Sequence, residues 1–194
     1  MRVRALAILV AVATVACSKQ AAFDREDVLE IVLRADEAPP GTRRVADAGG
    51  EQDLATFARD ATERSALVAD GFVSGYVSYF LPESYFASGG TLEPGSLAYQ
   101  VIAGVFEDAN GASRSLGRFM DDLRGRQLEG TETIAAPDLG DESHGLSGRS
   151  ATDGTEVVAF LWRLDNLILV LVGSGPVDRA AMTAAARTMA GRAG

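Results

Sequence analysis

The chain is poor in the side chains that most often carry chemistry. One cysteine, one lysine and one histidine occur among 194 residues. A lone thiol excludes an intrachain disulfide and every CxxC redox or zinc arrangement, and the single lysine and histidine leave few groups for Schiff-base or imidazole chemistry. Basic residues are also outnumbered, 18 Lys plus Arg against 27 Asp plus Glu, for a formal charge of −9 and an isoelectric point near 4.6. Such a balance opposes a broad electrostatic grip on phosphate backbones, so generic nucleic-acid binding is excluded. No GxxxxGK[ST] loop, HExxH pair, Gly-x-Ser-x-Gly elbow or dinucleotide glycine fingerprint occurs, and no nucleotide, metal or other cofactor is expected. What remains, 47% hydrophobic and 23% charged residues, is the composition of one globular domain with one sizeable core.

The first residues carry the clearest signal. Arg2 and Arg4 precede an apolar run from Ala5 to Ala16, interrupted only by Thr14, which is the layout of a secretory signal peptide. Twelve helical residues span roughly 18 Å, short of the ~30 Å hydrocarbon core, so a permanent membrane-spanning helix is not expected. The chain's only cysteine stands where this run stops, in Ala13-Thr14-Val15-Ala16-Cys17-Ser18. This segment resembles the lipobox of bacterial lipoproteins, with Thr14 where leucine is usual. The resemblance covers about twenty residues. It implies cleavage between Ala16 and Cys17, acylation of the Cys17 thiol, and membrane attachment through acyl chains on the extracytoplasmic side. In a host with two membranes, Ser18 after the cysteine resembles the outer-membrane sorting pattern. The alternative is ordinary secretion with Cys17 incidental, which would export an unpaired thiol.

Loss of residues 1–16 removes Arg2 and Arg4 and no acid, taking the formal charge from −9 to −11, so anionic lipid surfaces should repel the body. The domain organisation expected is therefore a signal peptide over 1–16, a lipidated N-terminus and tether over 17–26, and a single domain over 27–194. Ser18 to Ala22 reach at most ~18 Å when extended.

Asp27 to Leu33 reads as one turn of helix or an edge strand, closed by Pro39-Pro40-Gly41, with a loop following to Gly50. A first amphipathic helix is expected from Glu51 to Asp70, ended by Gly71. Phe72 to Leu81 and Leu97 to Glu107 suit strands. Ala112, Leu116, Phe119, Met120 and Leu123 form one stripe of a second helix opened by Asn110-Gly111 and stopped at Gly125. Thr131 to Ala135, Ser143 to Arg149, Thr155 to Arg163 and Leu167 to Val172 read as strands, the last two paired across Asp165-Asn166. A third helix starts at Asp178, its N-cap. This order predicts an α+β fold: an antiparallel sheet of roughly six strands with about three packed helices. It loosely resembles the sandwich of photosystem-II-associated PsbP-like and Mog1-like proteins, an analogy of fold alone.

No constellation selects a reaction. His144 follows Asp141, Glu142 and Ser143 too closely for these groups to converge as a triad, and a solvated hairpin position accounts for it. Asp108, Asn110, Asp121 and Asp122 lack the twelve-residue calcium-loop spacing and suit a helix cap and a solvated helix face. The many acids provide no basis for choosing a glycosidase pair. Phe160 and Trp162 share one strand face, as core packing or as a ligand-facing wall. Tyr76, Tyr79, Tyr85, Phe86 and Tyr99 lie near strand ends and the loop Ser84 to Gly95; of these, Tyr85, Phe86 and Tyr99 are the candidate contact surface.

Three readings follow. The first is a non-catalytic, lipid-anchored envelope domain that binds an envelope protein or ligand. The second is a carrier of a lipid or other hydrophobic ligand, which requires a continuous apolar pocket of several hundred Å³. A hydrolase built on converging carboxylates is the third.

Overall fold

A computed structural model describes residues 23–193. The signal peptide, Cys17 and Ser18 to Ala22 lie outside the described residues. The folded body takes in Phe23 to Glu26, which the sequence reading assigns to the tether. Helix α1 (Arg25–Ile31) begins there, with Asp24 accepting hydrogen bonds from the Glu26 and Asp27 amides and Asp27 reaching back to the Asp24 amide. This reciprocal cap fixes a seven-residue helix that would be marginal alone.

The order then runs β1 (Thr42–Gln52), α2 (Leu54–Phe57), α3 (Ala61–Ala69), β2 (Phe72–Pro82), α4 (Glu83–Ala87), β3 (Ala98–Phe106), α5 (Ala109–Asp122), β4 (Leu128–Ile134), β5 (Glu142–Ser150), β6 (Glu156–Leu164), β7 (Leu167–Ser174) and α6 (Arg179–Ala193). The α+β class is as expected; among the described residues there is one antiparallel sheet of seven strands in the order β1-β2-β3-β7-β6-β5-β4, where roughly six were expected, and there are six α-helices, where about three were expected.

The extra elements have local causes. Thr42 to Gln52 shows no clean alternation because β1 is an edge strand, and its register slips between Arg44 and Gly49. Gly49 and Gly50 supply the positive φ of 90° and 100° that this irregularity needs. Glu51 and Gln52 pair with Tyr76 and Gly75, which removes them from the expected helix 51–70. The rest of that helix is two short ones, capped separately by Asp53, which accepts from the Thr56 amide, and Asp60, which accepts from the Glu63 amide. The second expected helix does not stop at Gly125: α5 passes at Asp122 into a single π-type turn, Leu123–Gln127.

Both sheet faces are covered. One carries Tyr76, Phe80, Tyr99, Val101, Phe160, Trp162, Leu169 and Leu171 against α1 and α6; the other carries Phe106, Leu146, Leu161, Ile168 and Val170 against α2, α3 and α5. This explains the continuously apolar β7, the strand beside β3 at the middle of the sheet. Residues 23–193 thus form one body with an apolar core on each face of the sheet.

Candidate functional site

Pleating and register lay out the site. Tyr79 of β2 pairs with Gln100 of β3, which pairs with Val172 of β7; one step along, Val77 pairs with Ile102 and Ile102 with Val170. Because partners directly opposite share a face, these six side chains form two rows across three strands, apolar except for Tyr79 and Gln100. They floor a groove of ≈420 Å³ on the face that α2, α3 and α5 only partly cover.

Its walls follow from the helices. Gly75 lies beneath the Phe57 ring, and a Cβ there would overlap it, so α2 can sit tight on β2. Phe57 stacks on Phe72 at 4.8 Å and meets Phe119 of α5 edge-on at 6.1 Å. Gln52 and Thr56 line one side, and Leu123 and Gln127 of the π-type turn line the other. A second hollow of ≈300 Å³ shares Leu123, Gln127 and Val172 with the first and continues to Val157 of β6 and Ser150 of β5. Together they cross five neighbouring strands, roughly 19 Å at ~4.8 Å per strand spacing.

The electrostatics of the groove are closed on themselves. Arg59 donates to Glu63 from Nε and Nη2 at 2.9 Å each, and from Nη1 to Asp122. Asp122, whose side chain is only 5% exposed, also pairs with Arg126 and accepts from Gln127. Burial works to raise the Asp122 pKa, but these hydrogen bonds and the Arg59 charge hold it below the usual carboxylate range, and Arg59 is raised in turn, by its bond to Glu63 first. A second buried carboxylate, Asp70, holds Arg114 at 2.7 Å, Arg118, and the Ser115 hydroxyl at 3.2 Å. Both acids tie the α3 region to α5, which fixes the helical wall over the sheet.

The candidates chosen from sequence are not brought together. Tyr99 is 2% exposed and belongs to the core on the opposite face; burial raises its pKa. This corrects its assignment to a contact surface: strand alternation places it one residue out of phase with the groove residue Gln100. Tyr85 and Phe86 fall on α4, half-buried and packed edge-on at 5.3 Å, with the Arg43 guanidinium 3.8 Å over the Phe86 ring. Trp162 is fully buried beneath α1 and α6, so the core alternative holds for it. His144 pairs through Nε2 with Glu142 at 2.9 Å, and Glu142 also accepts from the Ser113 hydroxyl; the bond from His144 is the main reason Glu142 lies below the usual range. No group of three His, Cys, Asp or Glu poised to hold a metal ion occurs among the described residues, and no helix among them is long and apolar enough to cross a membrane.

Gln52, Gln100, Gln127, Arg59 and Glu63 were not singled out by sequence. Only the alternation around Gln100 and Ile102 could have flagged any of them.

No family model matches the chain, and no curated protein matches it. Among solved structures, the extracellular domain of PknH from Mycobacterium tuberculosis is similar, with a TM-score of 0.59 and 8% identity over 88% of this chain and 96% of that one. The shared feature is the fold. An uncharacterised protein from Mycobacterium smegmatis aligns over 86% of this chain and 97% of its own, at 9% identity and a TM-score of 0.42.

Proposed function

We propose that this chain is a non-catalytic, lipid-anchored domain of the bacterial cell envelope, held by acyl chains on Cys17, that binds a ligand in the groove over β2, β3 and β7. The observation that carries the binding role is the groove itself. Its floor is aliphatic apart from the Tyr79 phenol and the Gln100 amide, and further amides stand at its sides, the usual make-up of a recognition site. Its charged side chains are paired with one another rather than poised toward the hollow. The lipobox-like segment supports the anchor, and the extracellular origin of the PknH domain is in keeping with an extracytoplasmic place for this fold. Cys17 and Phe23 are six residues apart, at most about 22 Å of chain, so the body would stay close to its membrane. Two or more acyl chains would make that attachment lasting.

Cys17→Ser tests the anchor: the variant should lose lipid label and leave the membrane fraction, and unchanged labelling would refute it. The apolar floor also favours a second reading, a carrier of a lipid or other hydrophobic ligand. Transfer of a fluorescent lipid between vesicles that is abolished by the groove-filling substitution Val172→Trp would support the carrier over the static binder.

A further inference from the structure

The hydrogen-bond accounting of the groove specifies the kind of head group it accepts, an argument that rests on the groove being the binding site. Gln100 Nε2 donates to the Tyr79 hydroxyl at 3.3 Å, Gln52 Nε2 to the Gly50 carbonyl at 3.3 Å, and Gln127 Nε2 to Asp122. Each amide is therefore oriented by one N–H, while its Oε1 has no hydrogen-bond partner among the described residues. The Tyr79 oxygen accepts from Gln100, which leaves its hydroxyl hydrogen to donate. The lining thus offers three amide oxygens, each with a second N–H on the same amide, and the Tyr79 O–H, and hydroxyl groups, which donate and accept at one atom, match such a mixed lining.

Charge narrows the choice. The Arg59 charge is offset by two carboxylates, Glu63 and Asp122, so an anionic head gains no unbalanced positive charge there, and an ammonium finds Glu63 already engaged. A net charge of −9 for the chain adds a repulsive field for anions. The row of Val77, Ile102 and Val170 behind the amides supplies an apolar bed.

We infer that the groove holds an uncharged amphiphile whose head bears hydroxyl groups, its head on the Gln100 and Gln127 amides and its tail on the aliphatic row.

The test compares three probes with one tail, decyl glucoside, decyl phosphate and decyltrimethylammonium, each below its micelle concentration, against the chain from Ser18 to Gly194. Side-chain amide NMR signals of Gln100 and Gln127 report occupancy. Decyl glucoside should shift both signals saturably and bind at least tenfold more tightly than the phosphate. Gln100→Met, which keeps the shape but removes the amide, should weaken the glucoside about fivefold, as for one lost hydrogen bond, and leave the phosphate unchanged. A phosphate or ammonium amphiphile binding as tightly as the glucoside, no saturable shift with the glucoside, or indifference to Gln100→Met would each overturn the inference. Val172→Trp separates the two levels. If a charged probe wins and this substitution blocks it, only the head-group assignment falls. If binding survives Val172→Trp with the fold intact, the groove itself is not the site.

Discussion

Replacing Asn166 with alanine should detach the first described residues from the sheet. Asn166 sits at the β6–β7 turn, beside Asp165 with its φ of 47°, and is fully buried. Its Oδ1 accepts from the Phe23 amide at 2.9 Å, and its Nδ2 donates to the Phe23 carbonyl at 2.9 Å and the Phe106 carbonyl at 2.7 Å. One side chain thereby joins the chain's first described residue, the end of β3 and the central hairpin. Alanine removes all three bonds and leaves their backbone partners unpaired. At about 1 kcal/mol for each lost bond, the cost is roughly 3 kcal/mol. For a domain of this size, ~2–4 °C per kcal/mol converts this to a fall in Tm of roughly 6–12 °C. Circular dichroism melting measures the fall, and hydrogen exchange at Phe23 and along α1 should accelerate more than exchange in β7. Asn166→Asp keeps the acceptor but removes both donors and aims a carboxylate at two carbonyls, so it should destabilise at least as much. A Tm shift below 2 °C for alanine, or unchanged protection of α1, would refute the clamp.

Three further outcomes follow from the same packing. Gly111→Ala in α5, a change that favours helix by about 1 kcal/mol at open sites, should instead destabilise by roughly 2 kcal/mol or more in urea titration, because a Cβ there would overlap the Asp70 carbonyl oxygen. Asp122 has its pKa lowered in the fold, so its pairing stabilises above the ordinary value of 3.8 and is lost as pH falls through the lowered value. Asp122→Asn should therefore cost about 1–2 kcal/mol at pH 7 and progressively less as pH falls below 3.8, read as converging urea midpoints. Trp162→Phe should change stability by less than about 1.5 kcal/mol despite full burial, against the ~3–5 kcal/mol expected for Trp162→Ala, because Nε1 has no hydrogen-bond partner among the described residues and its removal relieves a desolvation cost.

The parts of the fold legible in the sequence are those whose local pattern and tertiary role agree. The apolar run of β7, the Asp165-Asn166 turn, the stripe of α5 and the Asp178 cap, which accepts from the Ala180 and Ala181 amides, are of this kind. Strand β1 was hidden because an edge strand with a glycine irregularity buries too little to alternate. The break between α2 and α3 was hidden because Leu54, Phe57, Ala58, Ala61, Leu67 and Val68 keep near-helical spacing across an interruption that depends on two aspartate caps, although Val68 itself is exposed rather than on the inner face. The groove was less legible still. Its glutamines come from β1, β3 and the turn after α5, brought together by strand register and helix packing, and of the aromatics near the strand ends Tyr79 alone lines it, while Tyr76 and Tyr99 belong to the opposite core and Tyr85 and Phe86 to α4.

The route of the chain through the sheet also bears on how the domain is made. The meander β1-β2-β3 is complete by Phe106, yet the strand that must lie against β3 is the last of all, Leu167–Ser174. A polypeptide emerging N-terminus first therefore keeps an open β3 edge until some sixty residues later, when β7 arrives and zips the two halves together in one late, long-range step. Such a chain stays unfinished throughout synthesis. The export that the proposed function entails would require a chain in that state, and the cost is an unpaired edge that must be kept from self-association until the final strand arrives.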